Sequence, residues 1–257
     1  MNLSPFLKTN NLFAAALFAV SLIGLQSCET DMDRGFGTYT VTVQGDSLID
    51  GVRSFMTIRK KGKEILKDSS VVFKNQIVFK GQCDSLELVA VEIEGITGRF
   101  PVILAPGTTQ VALNRDTINL SSATGNKPNE DFMRYREENK VVNQKMMAVS
   151  LALRDAKRTN DKVAQDSLQP IYQESISSFR FFPYDFIEKN ADSDMCLLML
   201  DEMVQARLNP KFLDRVKSSY QALAKTIQKN EINRRRGARI KAAIDLLENT
   251  KTEANTP

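Results

Sequence analysis

No histidine occurs in the 257-residue chain. That removes Ser-His-Asp and Cys-His constellations, imidazole metal ligands and the usual general base near neutral pH. Cysteine is scarce as well. Cys28, Cys83 and Cys196 are the only three, and no Cys-x-x-C pair occurs, so thioredoxin-type redox chemistry has no motif to run on. There is no strong excess of charge of one sign. Thirty-five basic residues against 31 acidic ones leave a formal +4, which gives no reason to expect a polyanionic partner such as nucleic acid. Beyond the N-terminal segment no apolar run is long enough to cross a bilayer. Gly95 and Gly98 flank Ile96-Thr97, but nothing there resembles a phosphate cradle opening a helix. Neither a cofactor nor a metal is expected.

What is present begins with an export signal. Lys8 is the only charge before Cys28, and an apolar run extends from Leu12 to Leu25. At about 14 residues it is too short for a membrane-spanning helix and suits the apolar region of a signal peptide. It ends in Leu25-Gln26-Ser27-Cys28, which resembles a lipobox, so the expectation is diacylglyceryl transfer to Cys28 and cleavage before it. The alternatives are an ordinary secretory signal or a short membrane anchor. The expected organisation is a signal peptide over residues 1–27 and a lipid-anchored linker over 28–37. An antiparallel β domain follows over 38–125, then a helical domain over 126–250 and a polar tail over 251–257. Loss of Lys8 with the leader lowers the formal charge by one. Cys83 and Cys196 lie far apart in segments of different type. Two buried structural thiols are expected, with a disulfide as the alternative in an oxidising compartment.

The β half shows a period of two. Thr38 to Gln44 alternates, and Gly45-Asp46 turns it; Phe55 to Arg59 is a second strand, turned by Lys61-Gly62-Lys63. Ser70 to Phe73 and Gln76 to Phe79 flank Lys74-Asn75 and predict a hairpin. Leu86 to Ile93 puts Leu86, Leu88, Ala90 and Glu92 on one face, and Val89, Val91 and Ile93 on the other. Arg99 to Leu104, Thr109 to Leu113 and Thr117 to Leu120 complete about seven short strands, with Pro106-Gly107 as a turn. Short, regularly spaced strands favour an antiparallel sandwich or a barrel-like sheet.

From Asn129 the period changes. Phe132, Tyr135, Asn139, Val142, Met146, Val149, Leu153 and Ala156 follow at steps of three and four, a coiled-coil-like seam broken at Asn139. Thr159-Asn160-Asp161 stops this helix and caps a second with Leu168, Tyr172, Ile176 and Phe179 on one stripe, which Pro170 bends or delays. The short connection makes the two helices an antiparallel hairpin. Helices over about 193–207, from Asn209-Pro210 to about Lys229, and over about 231–248 complete the reading. The fold class is therefore α+β: an N-terminal sandwich or barrel-like sheet, then an all-helical domain with a long antiparallel hairpin.

The order of several short motifs resembles a known family. Gly62-Lys63 leads to Asp68-Ser69-Ser70-Val71-Val72 and Ile77-Val78-Phe79-Lys80-Gly81. Pro101 to Gly107 and Val111-Ala112-Leu113 follow, and Gly125, Asn129 and Phe132 open the long helix. This resembles the DUF4369 domain of Bacteroidota lipoproteins, which stands at the N-terminus of many thioredoxin-like (TlpA/AhpC-type) proteins. The helical half is similar to the spacer in those proteins, including Phe186-Ile187-Glu188-Lys189-Asn190. Two features depart. Ala105 stands where relatives often carry an acid before Pro-Gly, and these 257 residues hold no Cys-x-x-C, so the redox activity of relatives is not carried over. The resemblance implies a cell-envelope location, at the outer membrane on its periplasmic face or at the cell surface. Glu29, Asp31 and Asp33 after the lipid cysteine are a weak match to surface-export signals.

Several clusters weigh as candidate sites. Glu92 and Glu94 share a strand face and have the form of a carboxylate pair, although solvation at a sheet edge explains them more simply. Asp68-Ser69-Ser70 reads as a strand-entry turn rather than a nucleophile. Phe179, Phe181, Phe182, Tyr184 and Phe186 form the densest aromatic cluster, either an interaction surface or packing between hairpin and sheet. Arg234, Arg235 and Arg236 centre a basic stretch from Lys225 to Lys241, a candidate surface for anionic lipid or an acidic partner, or a solvated helix face. No aromatic residues interleave there for stacking on nucleic acid bases. The expected function is a non-catalytic binding or adaptor module held on the bilayer through acylated Cys28, with a protein partner such as a thioredoxin-like lipoprotein. The alternatives are an accessory subunit of a thiol-disulfide system and a histidine-free glycan-processing enzyme.

Overall fold

The computed structural model describes residues 37–46, 48–60, 62–206 and 209–253. The expected signal peptide, Cys28 and the acids Glu29, Asp31 and Asp33 lie outside the described residues.

Period-two burial builds the first half. β1 (Gly37–Gln44) buries Tyr39, Val41 and Val43, and β2 (Arg53–Lys60) buries Ser54, Met56 and Ile58. β3 (Lys63–Val71), β4 (Gln76–Cys83), β5 (Glu87–Ile93), β6 (Phe100–Leu104), β7 (Gly107–Ala112) and β8 (Ser122–Thr124) follow. They form two four-stranded sheets, in the orders β4-β1-β7-β8 and β3-β2-β5-β6. Val41, Val43, Ile77, Phe79 and Val111 from the first sheet share one core with Met56, Val89, Val91, Phe100 and Val102 from the second. Each such side chain, fully buried, contributes about 1.5–3 kcal/mol. Of the two expected architectures the sandwich is the one that forms; the sheets do not close into a barrel.

Three local expectations change. The pairing of β1 with β7 is parallel, because β6 and β7 lie in different sheets and the chain crosses over at Pro106-Gly107, where Gly107 takes φ +99°. At Lys74-Asn75 the turn forms as expected, both residues having positive φ. Its arms, however, close only the Phe73–Gln76 bridge before β3 and β4 part into different sheets. Thr117–Leu120, expected as a strand, holds a 3₁₀ turn at Ile118–Leu120. Side chains organise that loop: Asn114 Oδ1 accepts the Thr117 N–H at 2.9 Å and Ser121 Oγ accepts the Asn114 N–H at 2.9 Å.

The helical half begins with α1 (Lys127–Arg158), capped by the Asn126 side chain. The Asp161 side chain caps α2 (Lys162–Lys189), so Pro170 neither delays nor ends the helix but sits inside it with Pro183. The two helices form the expected hairpin, with every residue of the α1 seam at least half-buried and Leu153 and Ala156 fully so. α3 (Asp194–Gln205) comes next. The helix expected from Asn209-Pro210 is divided into a 3₁₀ turn, α4 (Leu213–Ala222) and α5 (Ala224–Gln228), with buried Leu223 at the break. α6 (Glu231–Glu253) runs past the expected boundary at residue 250.

The second core lies between the halves. Ile103 of β6 is buried together with Phe186, Leu197, Leu200 and Ile240, and Leu86 and Leu88 pack against this group. The β3-β2-β5-β6 sheet is thus covered on one face by the other sheet and, over β5 and β6, on the other face by helices. That accounts for the apolar residues on both faces of the Leu86–Ile93 segment.

Candidate functional site

The aromatic cluster belongs to the second core. Tyr184 and Phe186 are buried, and Phe179, Phe181 and Phe182 are half-buried. Tyr135 stands 5.7 Å from Phe182 and 5.2 Å from Phe186, and Phe181 packs edge-on to Phe212 at 5.9 Å. Phe181, Phe182, Tyr184 and Phe186 therefore fix the base of the hairpin against α4 and β6, and Tyr184 and Phe186 present no open face as an interaction surface.

The arginine cluster divides in the same way. Arg234 and Arg235 are exposed, whereas Arg236 is buried, its Nη2 donating to the Leu86 carbonyl of the sandwich. Position on α6 explains the split, since consecutive residues on a helix point 100° apart. Arg235 pairs with Glu231, Arg239 with Asp201, Lys241 with Asp245 and Lys229 with Asp194. Most of the basic stretch is thus neutralised within the fold, and the three arginines do not make one patch. The candidate carboxylates are also paired: Glu94 with Arg53, and Glu92 with Arg99 at 3.0 Å.

Two clefts lie where the halves meet. The first, of about 450 Å³, has Leu88, Ala90 and Pro101 as its floor and Arg59, Arg99, Glu64 and Glu202 as its charged lining. The Thr57 hydroxyl and the Arg99 guanidinium hold the Glu64 carboxyl below its usual range. Burial, with Asp201 adjacent, pushes Glu202 up. The second cleft, of about 330 Å³, lies between Leu86, Ala105 and Pro106 of the sandwich and the starts of α1, α3 and α6. Sequence reasoning missed both clefts, because each is assembled from segments more than a hundred residues apart. Among the described residues no group of His, Cys, Asp or Glu is arranged to hold a metal ion.

The thiols are kept apart. Cys83 lies in the sandwich core and Cys196 in the helical core, both free and buried. Burial pushes Cys196 up to about 12 and raises Cys83, so neither is a ready thiolate.

Beyond the base of the hairpin lies an arm. At about 1.5 Å per residue, the 32 residues of α1 make a helix about 48 Å long. Among the described residues, the hydrogen bonds and ion pairs of residues 140–179 all stay within the hairpin, as in Lys140–Glu137, Arg158–Asp155 and Gln165 to the Ala156 carbonyl. Val141, Met147, Leu151 and Val163 are exposed on this arm, at 64, 48, 44 and 82 %.

Residues 39–132 match the DUF4369 family, described as a domain of unknown function. The match covers the sandwich and the opening of α1, including Asn129 and Phe132. A comparison with curated proteins finds none that matches.

Proposed function

We propose that this chain, whose residues 39–132 form a DUF4369 domain, is a non-catalytic binding or adaptor module anchored in the bacterial outer membrane through acylated Cys28. The observation that carries the reading is the arm. A two-helix projection whose hydrogen bonds and ion pairs, among the described residues, stay within it and which exposes Val141, Met147 and Leu151 suits contact with another macromolecule better than support of its own core. Its base is fixed to the sandwich by buried aromatic packing, so the arm is held at a set angle to the domain that follows the anchor. The partner class proposed is a thioredoxin-like lipoprotein, the kind of protein that the resemblance of residues 39–132 implies. The chain would then be an accessory to thiol-disulfide chemistry carried out elsewhere.

The test is crosslinking and affinity capture from native membranes with the anchor intact, comparing the natural chain with Met147→Glu/Leu151→Glu. These two residues are one turn apart on α1 and exposed, so the substitution alters the arm without touching its seam. One dominant membrane partner, lost in the double variant, is expected. Capture of nothing, or of the same partner by both chains, would overturn the role of the arm.

A second reading rests on Glu202. A half-buried carboxyl pushed up by burial, in a cleft that also holds Arg59 and Arg99, has the character of a general acid. Hydrolysis of any member of a glycan panel, abolished by Glu202→Gln, would favour that reading.

A further inference from the structure

The cleft between Leu86, Ala105, Pro106 and the three helix starts contains a charge that the fold leaves incompletely paired. Arg236 lines it with 5 % of its side chain exposed. Nη2 donates to the Leu86 carbonyl, while Nε and Nη1 have no hydrogen-bond partner. The nearest carboxylate, Asp201, is 3.7 Å from Nε and is taken in a closer pair by Arg239. A buried guanidinium with unmatched N–H groups is uncommon and calls for a reason. The charged side chains that line the cleft are Lys127 and Arg236 against Asp194. One cation is thus in excess among the lining residues.

Helix geometry has the same sign. α1, α3 and α6 all begin at this cleft, through Asn126-Lys127-Pro128, Asp194 and Asn230 to Asn233. Asn126 and Asn230 each cap one N–H, of Asn129 and Asn233. The Ser193 hydroxyl, at the start of α3, donates to Asp131 instead of capping. Three helix N-termini therefore converge beside an incompletely paired guanidinium, with Glu130, Asp194 and Glu231 in their first turns offsetting part of the positive ends. Leu86, Ala105, Pro106, Pro128 and Ile232 give the cleft an apolar wall, beside the polar Ser85.

We propose that this cleft binds the phosphate head of an anionic amphiphile, with Arg236 and the three helix ends holding the oxyanion and the apolar wall taking the start of its tail. Nε and Nη1 are shielded from solvent, so Arg236 acts on the oxyanion through its field. The end of the sandwich that carries the cleft is also the end at which the described chain begins. A Cβ on Gly37 would fall 2.5 Å from the Pro106 side chain, and the nine residues from Cys28 to Phe36 span at most about 32 Å. A cleft tethered that close to a bilayer meets phospholipid. This lipid source rests on the anchoring of Cys28, whereas the anion site itself does not.

The experiment is calorimetric titration of the intact chain, held in an uncharged detergent, with dihexanoyl phosphatidate, dihexanoyl phosphatidylcholine and inorganic phosphate. Saturable binding of one phosphatidate per chain is expected, at least tenfold tighter than inorganic phosphate and not displaced by the zwitterionic lipid. Arg236→Gln is expected to weaken it at least tenfold. Because that variant disturbs a buried pair, Ile232→Glu serves as the second: an acid in the first turn of α6 favours the helix but places a negative charge in the cleft. It is expected to weaken binding to a similar degree with unchanged circular dichroism. Equal affinity for inorganic phosphate would assign the site to the free anion and overturn the lipid. Absent or non-saturating binding, or binding indifferent to Ile232→Glu, would overturn the site. Loss of membrane anchoring in a Cys28→Ala chain that still binds phosphatidate in detergent would leave the site standing without the anchor.

Discussion

Asn129 and Ile103 exchange two hydrogen bonds between the β and helical halves: the Ile103 N–H donates to Asn129 Oδ1 at 2.9 Å, and Asn129 Nδ2 donates to the Ile103 carbonyl at 2.8 Å. β6 is an edge strand, and the carboxamide pairs with it as a further strand would. Both groups are buried, so their loss leaves a backbone donor and acceptor without partners.

Asn129→Ala is accordingly expected to cost about 2–4 kcal/mol of stability, from two buried groups left unsatisfied. Asn129→Asp keeps the acceptor but sets a buried carboxylate against the Ile103 carbonyl and is expected to cost at least as much. Urea denaturation followed by circular dichroism measures both. A loss in Asn129→Ala under about 0.5 kcal/mol, the range of ordinary surface substitutions, would show that the bridge does not hold the halves together.

Legibility in the sequence followed the range of the interaction. The periods of β1, β2, β5 and the α1 seam were readable because each needs only its own segment. So was the Lys74-Asn75 turn, a polar pair between two apolar runs, although of the two only Asn75 is of a type that favours positive φ. The partition of β3 and β4 between sheets was not readable: both arms of a hairpin look alike until the partner strands β2 and β1 are placed. Thr117–Leu120 reads as a strand because side-chain hydrogen bonds to the loop backbone leave no periodic trace. The aromatic cluster was found but not its direction, since only the placement of β6 and α4 shows which rings are covered. Arg236 could have been separated from Arg234 and Arg235 by continuing the α6 stripe through Arg236, Ile240 and Ile244, all buried. Its Leu86 acceptor, 150 residues away in sequence, could not.

The ion pairs of Asp201 give two contrasting substitutions. Asp201 is buried and lies between Arg236 and Arg239. Asp201→Asn leaves buried Arg236 without its carboxylate and is expected to destabilise by about 3–5 kcal/mol. Arg239 has half its side chain exposed, so solvent screens its share, and Arg239→Gln is expected to cost about 0–1 kcal/mol. Paired denaturation curves measure the difference, and equal losses would overturn the assignment of Arg236 as the dependent partner.

Burial of the thiols sets an alkaline limit. Cys196 ionises near 9 when exposed and near 12 in the fold, and Tyr39 rises from 10 to about 12, through burial and the neighbouring Asp68. Between these limits the unfolded chain has lost protons that the folded chain retains. Stability is therefore full below about pH 9 and falls as pH rises toward 12, by about 1.4 kcal/mol per pH unit for each group in its window. Denaturation midpoints from pH 8 to 11 are expected to decline, with a smaller decline in Cys196→Ala. A flat profile would show that Cys196 is more accessible than its place in the helical core indicates. At pH 8 a thiol reagent is expected to modify Cys83 and Cys196 only after denaturant is added.

The anchor is tested by where an acyl label goes. Cells supplied with an alkyne-bearing fatty acid are expected to label the natural chain and to leave Cys28→Ala unlabelled. Cys83→Ala and Cys196→Ala are expected to keep the label, because those thiols are buried in the folded body. The physical consequence differs from that of a single weakly held chain. One acyl group gives marginal, reversible membrane binding, whereas several chains on one cysteine hold firmly. The natural protein is therefore expected to stay with membranes through a high-salt wash that strips charge-bound proteins, while the body of a chain unable to be acylated is released once its leader is removed. Label remaining on Cys28→Ala would move the lipid to another residue. An unlabelled natural chain would remove the anchor and leave the domain-boundary cleft to be judged as an anion site alone.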